Sequence, residues 1–66
     1  GNVKVRGSEL ITSISVYDLR GVQVKRVENL MNDLIELDLH DAGSGVYVIQ
    51  VEIGGELIHE RVVINK

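Results

Sequence analysis

Apolar residues recur at every second position along most of this 66-residue chain, and a period of two belongs to strands with one buried face. In NVKVR, Val3 and Val5 alternate with Asn2, Lys4 and Arg6; in SISVYD, Ile14 and Val16 alternate with Ser13, Ser15 and Tyr17. VQVKRV sets Val22 and Val24 against Gln23 and Lys25, and DLIELDL gathers Ile35, Leu37 and Leu39 opposite Glu36 and Asp38. GVYVIQVEI places Tyr47, Ile49, Val51 and Ile53 on one face. Its other face, Val46, Val48, Gln50 and Glu52, is half apolar, so this strand is expected to be central and partly covered on both sides. The last run, ELIHERVVI, follows Gly54 and Gly55, a two-residue hairpin signal.

Such segments, separated by clusters of Gly, Asn and Asp, predict about six short antiparallel strands and no substantial helix. VENLMNDL sets Leu30, Met31 and Leu34 on one helical face, but it is short and weakly capped and reads as a loop with at most a single turn. Short antiparallel strands at this spacing fit a small sandwich of two sheets. Its core is expected to hold Ile14, Val16, Ile35, Leu37, Leu39, Tyr47, Ile49 and Val51.

Length makes this one domain, residues 1–66, and a chain so short buries only about 60% of the surface its unfolded form exposes. It has no cysteine, so disulfides add nothing, and the remaining stability must come from a partner, a larger parent chain or a metal. With no Phe or Trp and only Tyr17 and Tyr47, the core is aliphatic. The net charge of −3 is divided: residues 1–27 hold five Lys/Arg and two Asp/Glu, residues 28–66 hold two and eight. On a small sandwich two such halves interleave in space. An acidic chain with few aromatics offers nucleic acid neither a phosphate-tracking stripe nor a stacking platform. No apolar run approaches the roughly 20 residues that span a bilayer, so no membrane insertion is expected. GNVKVRG lacks the apolar centre of a signal peptide, which places any N-terminal export address upstream of Gly1.

Catalytic chemistry is sparse. HERVV, His59 to Val63, has the start of a zinc-protease helix motif, but Val63 stands where the second His is needed and the segment reads as a strand. His40 beside Asp41 has the makings of a metal or general-base pair, yet a solvated turn accounts for both. Gly43-Ser44-Gly45 lacks the third glycine and following helix of a nucleotide loop and reads as a kink feeding a strand. Ser8, Ser13, Ser15 and Ser44 have no evident His and carboxylate set to complete a triad. No catalytic residue, metal ligand or cofactor site is assigned, and an enzyme is the class these residues support least.

ISVYDLRGVQV, followed by IELDLHDAGSGVYVIQVEIGGELIHERVVINK, resembles the C-terminal sorting domain of proteins exported by the type IX secretion system. The residues that carry the resemblance are Tyr17, Asp18, Leu19 and Gly21; Leu37 and Leu39; Gly45, Tyr47 and Val51; Gly55; then Arg61, Val62, Val63 and Lys66. They occur in the family's order and spacing over residues 13–66. Each motif is weak alone; the ordered set is fairly specific. Members of that family usually begin with Pro-Asn-Pro and a first strand, and often carry Pro-Ala-Gly where this chain has Gly43-Ser44-Gly45. This chain has no proline, which implies that the family's first strand, and the cargo before it, lie upstream.

The resemblance implies an immunoglobulin-like antiparallel β-sandwich of about six to seven short strands. It also implies a function: a signal read by an outer-membrane translocon and by sortase-like surface-attachment proteins, on a cargo that passes through the periplasm to the outer membrane, cell surface or extracellular space. On this view Asp18 and Gly21 set a reversal, Gly45 and Tyr47 anchor the central strand, and Arg61, Val62, Val63 and Lys66 face the machinery. The duller reading of each is fold maintenance, least so for Arg61 and Lys66, which a core does not need. An open sheet edge left by the first strand predicts homodimers or strand exchange in the fragment. The alternative is an uncleaved immunoglobulin-like structural or adhesive module, retained in the secretion or surface-attachment machinery.

Overall fold

The computed structural model describes residues 2–28 and 30–65; Lys66, one of the four residues assigned to the machinery, lies outside them. The described chain is all-β and antiparallel, with five strands: β1 (Asn2–Asp18), β2 (Gln23–Val27), β3 (Asn32–Asp38), β4 (Gly45–Ile53) and β5 (Glu56–Ile64). The count falls below six because NVKVR and SISVYD belong to one strand of 17 residues. Glu28, Leu30 and Met31 lie in the connection between β2 and β3, Asn32 and Asp33 already lie in β3, and no turn of helix is formed by the described residues there.

The long strand organises the molecule. Its first part pairs with β3, from Asn2 opposite Asp38 to Arg6 opposite Leu34, and its last part lies between β2 and β4 in the order β2-β1-β4-β5. One hydrogen-bonded sheet therefore supplies both layers: Val3, Val5, Ile35 and Leu37 from the β1–β3 pair pack on Ile14, Val16, Ile49 and Val51 of the four-stranded part. This is the arrangement of a small sandwich. All eight residues expected in the core are buried, Tyr47 the least so at 9% exposed. Lys4 of the basic half stands opposite Glu36 of the acidic half, so the charge division is interleaved in space.

Two local irregularities depart from the simple alternation. Ile11 and Ile14 are both fully buried although three residues apart, because the register with β4 shifts between Ile11 and Ser13 and turns the strand over. A second shift, between Val16 and Tyr17, puts Lys25 opposite Val16 and Val27 opposite Ile14. The inner face of β2 is thus Lys25 and Val27. Val22 and Val24, the expected apolar face, remain exposed. Lys25 donates there from Nζ to the Asp38 carbonyl, 3.1 Å away.

Candidate functional site

Three turns and one edge carry the residues singled out in the sequence. At the β1–β2 reversal, Gly21 N–H donates to the Asp18 carbonyl at 3.0 Å and Asp18 N–H donates to the Val22 carbonyl at 2.9 Å. The Asp18 carboxylate accepts from the backbone N–H groups of Arg20 (2.9 Å) and Val22 (3.0 Å), and from the Arg20 guanidinium (3.0 Å). Those bonds, the one from Val22 first and the Arg20 side chain next, hold the Asp18 carboxyl below its ordinary value of 3.8. Leu19, at the tip, is exposed, and Tyr17 stands opposite Val48 on the outer face of the sheet.

At the start of β4, the Tyr47 ring is buried and its hydroxyl donates back to the Gly43 carbonyl at 2.8 Å. Gly45, which opens the strand, has φ +153°. In the same loop the two ring nitrogens of His40 meet two carboxylates, Nδ1 to Asp38 at 2.9 Å and Nε2 to Asp41 at 3.0 Å. Hydrogen bonding from the His40 ring and backbone holds the Asp38 carboxyl below 3.8. Asp38 as a partner of His40 escaped the sequence reading, which paired His40 with its neighbour Asp41. Among the described residues no group of three or more His, Cys, Asp or Glu side chains is placed to hold a metal ion.

The β4–β5 hairpin closes at Gly54 and Gly55, both with positive φ (+57° and +84°), the combination that a type I′ turn requires and that glycine adopts without strain. Ile53 and Glu56 flank a two-residue turn and so exchange hydrogen bonds, and bonded pairs then alternate along the ladder. Glu56, Ile58, Glu60, Val62 and Ile64 point their backbone groups at β4. Leu57, His59, Arg61 and Val63 point theirs away from it. Among the described residues β5 pairs only with β4, so this outward row lies on a free edge.

The assigned residues divide accordingly. Arg61 and Val63 project from the outer face, opposite Val48 and Val46, and Val63 is 71% exposed. Val62 turns inward, opposite Tyr47, and packs in part against the core. His59, without a partner in the sequence reading, meets the Gln50 side chain at 2.9 Å. The exposed Leu57 and Ile58 on the same strand were not singled out, although the parity set by the two-residue turn was available to place them.

A groove of about 280 Å³ runs between the first part of β1 (Val3 to Arg6) and the inner face of β5 (Glu60 and Val62), floored by Ile49 and Val51. It lies along the edge of β1 not paired with β3.

No curated protein and no solved structure matches the chain. Residues 1–65 match the family model described as the secretion system C-terminal sorting domain. That family is not an enzyme family; its members are recognised by the type IX secretion system and mark their bearers for export to the cell surface or extracellular space. The all-β sandwich with its free edge thus belongs to a sorting signal: the chain is a member of the secretion system C-terminal sorting domain family, the C-terminal signal of type IX secretion cargo.

Proposed function

We propose that the outer-membrane translocon reads this domain at the free edge of β5, with Arg61 and Val63 as the side chains it meets and Val62 holding the strand to the core. The observation that carries this reading is the outward row of backbone groups at Leu57, His59, Arg61 and Val63 beside exposed side chains. An unpaired strand edge is recognised by addition of a further strand, with backbone bonds for affinity and alternate side chains for specificity. Lys66 extends the same basic ending. The domain itself catalyses nothing; the cargo waits folded in the periplasm, and sortase-like attachment proteins act after translocation. Tyr17, Asp18, Leu19, Gly21, Gly45, Tyr47 and Gly55 hold the fold that presents the edge.

The groove beside Val3 to Arg6 supports a further part of the proposal: isolated copies of the domain pair or exchange strands there. A strand added at the groove covers the inner face of β5, where Ile58 is otherwise exposed. Sedimentation of the domain as a clean monomer at high concentration counts against this part.

The test is deletion of residues 61–66 from the full-length parent, followed by cell fractionation. The variant stays in the periplasm with its cargo folded. Normal surface display of the deletion overturns the assignment of the signal to β5.

A further inference from the structure

We infer that the strand received by β5 carries an adjacent acidic and basic pair, the acidic residue opposite Arg61 and the basic one opposite Glu60, with apolar residues on both sides. This rests on the reading of β5 as the edge that the secretion machinery engages. It adds the chemistry of the partner.

Three features of β5 specify that chemistry. The strand concentrates exposed apolar side chains, Leu57 at 56%, Ile58 at 43% and Val63 at 71%. Soluble edges are ordinarily protected by charge, and here, apart from Glu56 at the hairpin end, the charge of the strand is gathered at its centre, His59-Glu60-Arg61. Third, the register with β4 sorts the charges by face: Arg61 stands opposite Val48 on the outer side, and Glu60 opposite Ile49 on the inner side. Neither side chain has a hydrogen-bonded or ionic partner among the described residues.

An incoming antiparallel strand continues the sheet, so residues directly opposite share a face. Apolar residues then meet Val63 and Leu57 on the outer face, and Val62 and Ile58 on the inner face. Between them an acidic residue meets Arg61 and a basic residue meets Glu60. Reading from its own N-terminus, the partner runs apolar, apolar, acidic, basic, polar, apolar, apolar. The opposite order of the charged pair places like charges directly across the ladder, so the pair fixes register as well as affinity.

The test uses the 66-residue domain and two capped peptides, Ser-Val-Val-Glu-Lys-Thr-Val-Val-Ser and the isomer with Lys and Glu exchanged, titrated while backbone amides are followed by NMR. The first peptide shifts the amides of Leu57, His59, Arg61 and Val63 and binds about five- to tenfold more tightly than its isomer, the scale set by two cross-strand charge pairs changing sign. The double variant Glu60→Lys with Arg61→Glu, at exposed positions that leave the core intact, reverses the preference. Equal binding of the two peptides, no binding at millimolar concentration, an unchanged preference in the double variant, or shifts centred on Val3 to Arg6 each overturn the inference. So does a response of the four amides to protein concentration alone, which assigns the edge to a second copy. Failure of the peptides while the deletion of residues 61–66 blocks export leaves the sorting reading standing. Peptide binding beside normal export of the deletion variant removes the translocon as occupant.

Discussion

The Tyr47 hydroxyl donates to the Gly43 carbonyl across 2.8 Å and so ties the central strand to the loop that feeds it. The ring is buried against the core while its oxygen satisfies a backbone acceptor four residues earlier. Tyr47→Phe keeps the ring and removes only that bond, so it destabilises the domain by about 1 kcal/mol. Urea unfolding followed by circular dichroism measures the change. An unmoved midpoint means that the loop is held by other contacts.

Gly45 and His59 occupy the same hairpin with very different demands on it. The φ of +153° at Gly45 lies where residues with a Cβ are strained, so Gly45→Val costs about 1–3 kcal/mol. His59 is exposed and its ring meets the half-buried side chain of Gln50 on β4, so His59→Ala changes stability by about 0.5 kcal/mol or less. Equal effects of the two substitutions, compared in one unfolding series, overturn this ranking.

Acid acts first on the turns. Asp18 and Asp38 both have carboxyls held below 3.8 by hydrogen bonds formed in the folded chain. A depressed folded value gives stability that is complete above the unfolded value and is lost as pH falls through the folded one. Thermal midpoints therefore hold near neutrality and decline below 3.8. Asp18→Asn, which has no such charge to lose, flattens part of the decline; Asp38 supplies the rest. A variant curve parallel to the parent over the acid range counts against Asp18 as a contributor.

The period-two pattern was sufficient for the all-β class and for the eight expected core residues, because burial of one face is what alternation encodes. It was insufficient wherever the ladder slips. Ile11 is fully buried but out of phase with Ile14, and only the irregularity between Ile11 and Ser13 makes both inward. Val22 and Val24 alternate correctly yet stay outside, since the shift at Val16 and Tyr17 hands the inner face to Lys25 and Val27. A register shift is decided by pairing between distant segments, which local periodicity does not contain. The merger of NVKVR and SISVYD into one strand has the same origin, because Gly7 and Ser8 resemble a turn until β3 and β4 are seen to pair on either side of them. For the candidate edge, the glycine pair announced the hairpin. That β5 has no neighbour beyond β4 among the described residues required the topology.

Charge at Arg61 bears most directly on function. Its backbone faces the free edge and its side chain stands exposed on the outer face opposite Val48, so a strand added to β5 passes directly across it. Arg61→Lys keeps the positive charge and the long aliphatic stem, and exports normally in the full-length parent. Arg61→Glu retains the strand but reverses the charge, and shifts the cargo from the surface fraction to the periplasmic one. Exchanging Lys66 for Glu in the same chain deepens that loss if the basic ending acts as a unit. The readout is fractionation with the isolated variant domains checked for an unchanged β spectrum, so that misfolding is separated from failed recognition. Surface display of Arg61→Glu at the parental level means that the machinery reads the edge by backbone pairing and shape alone.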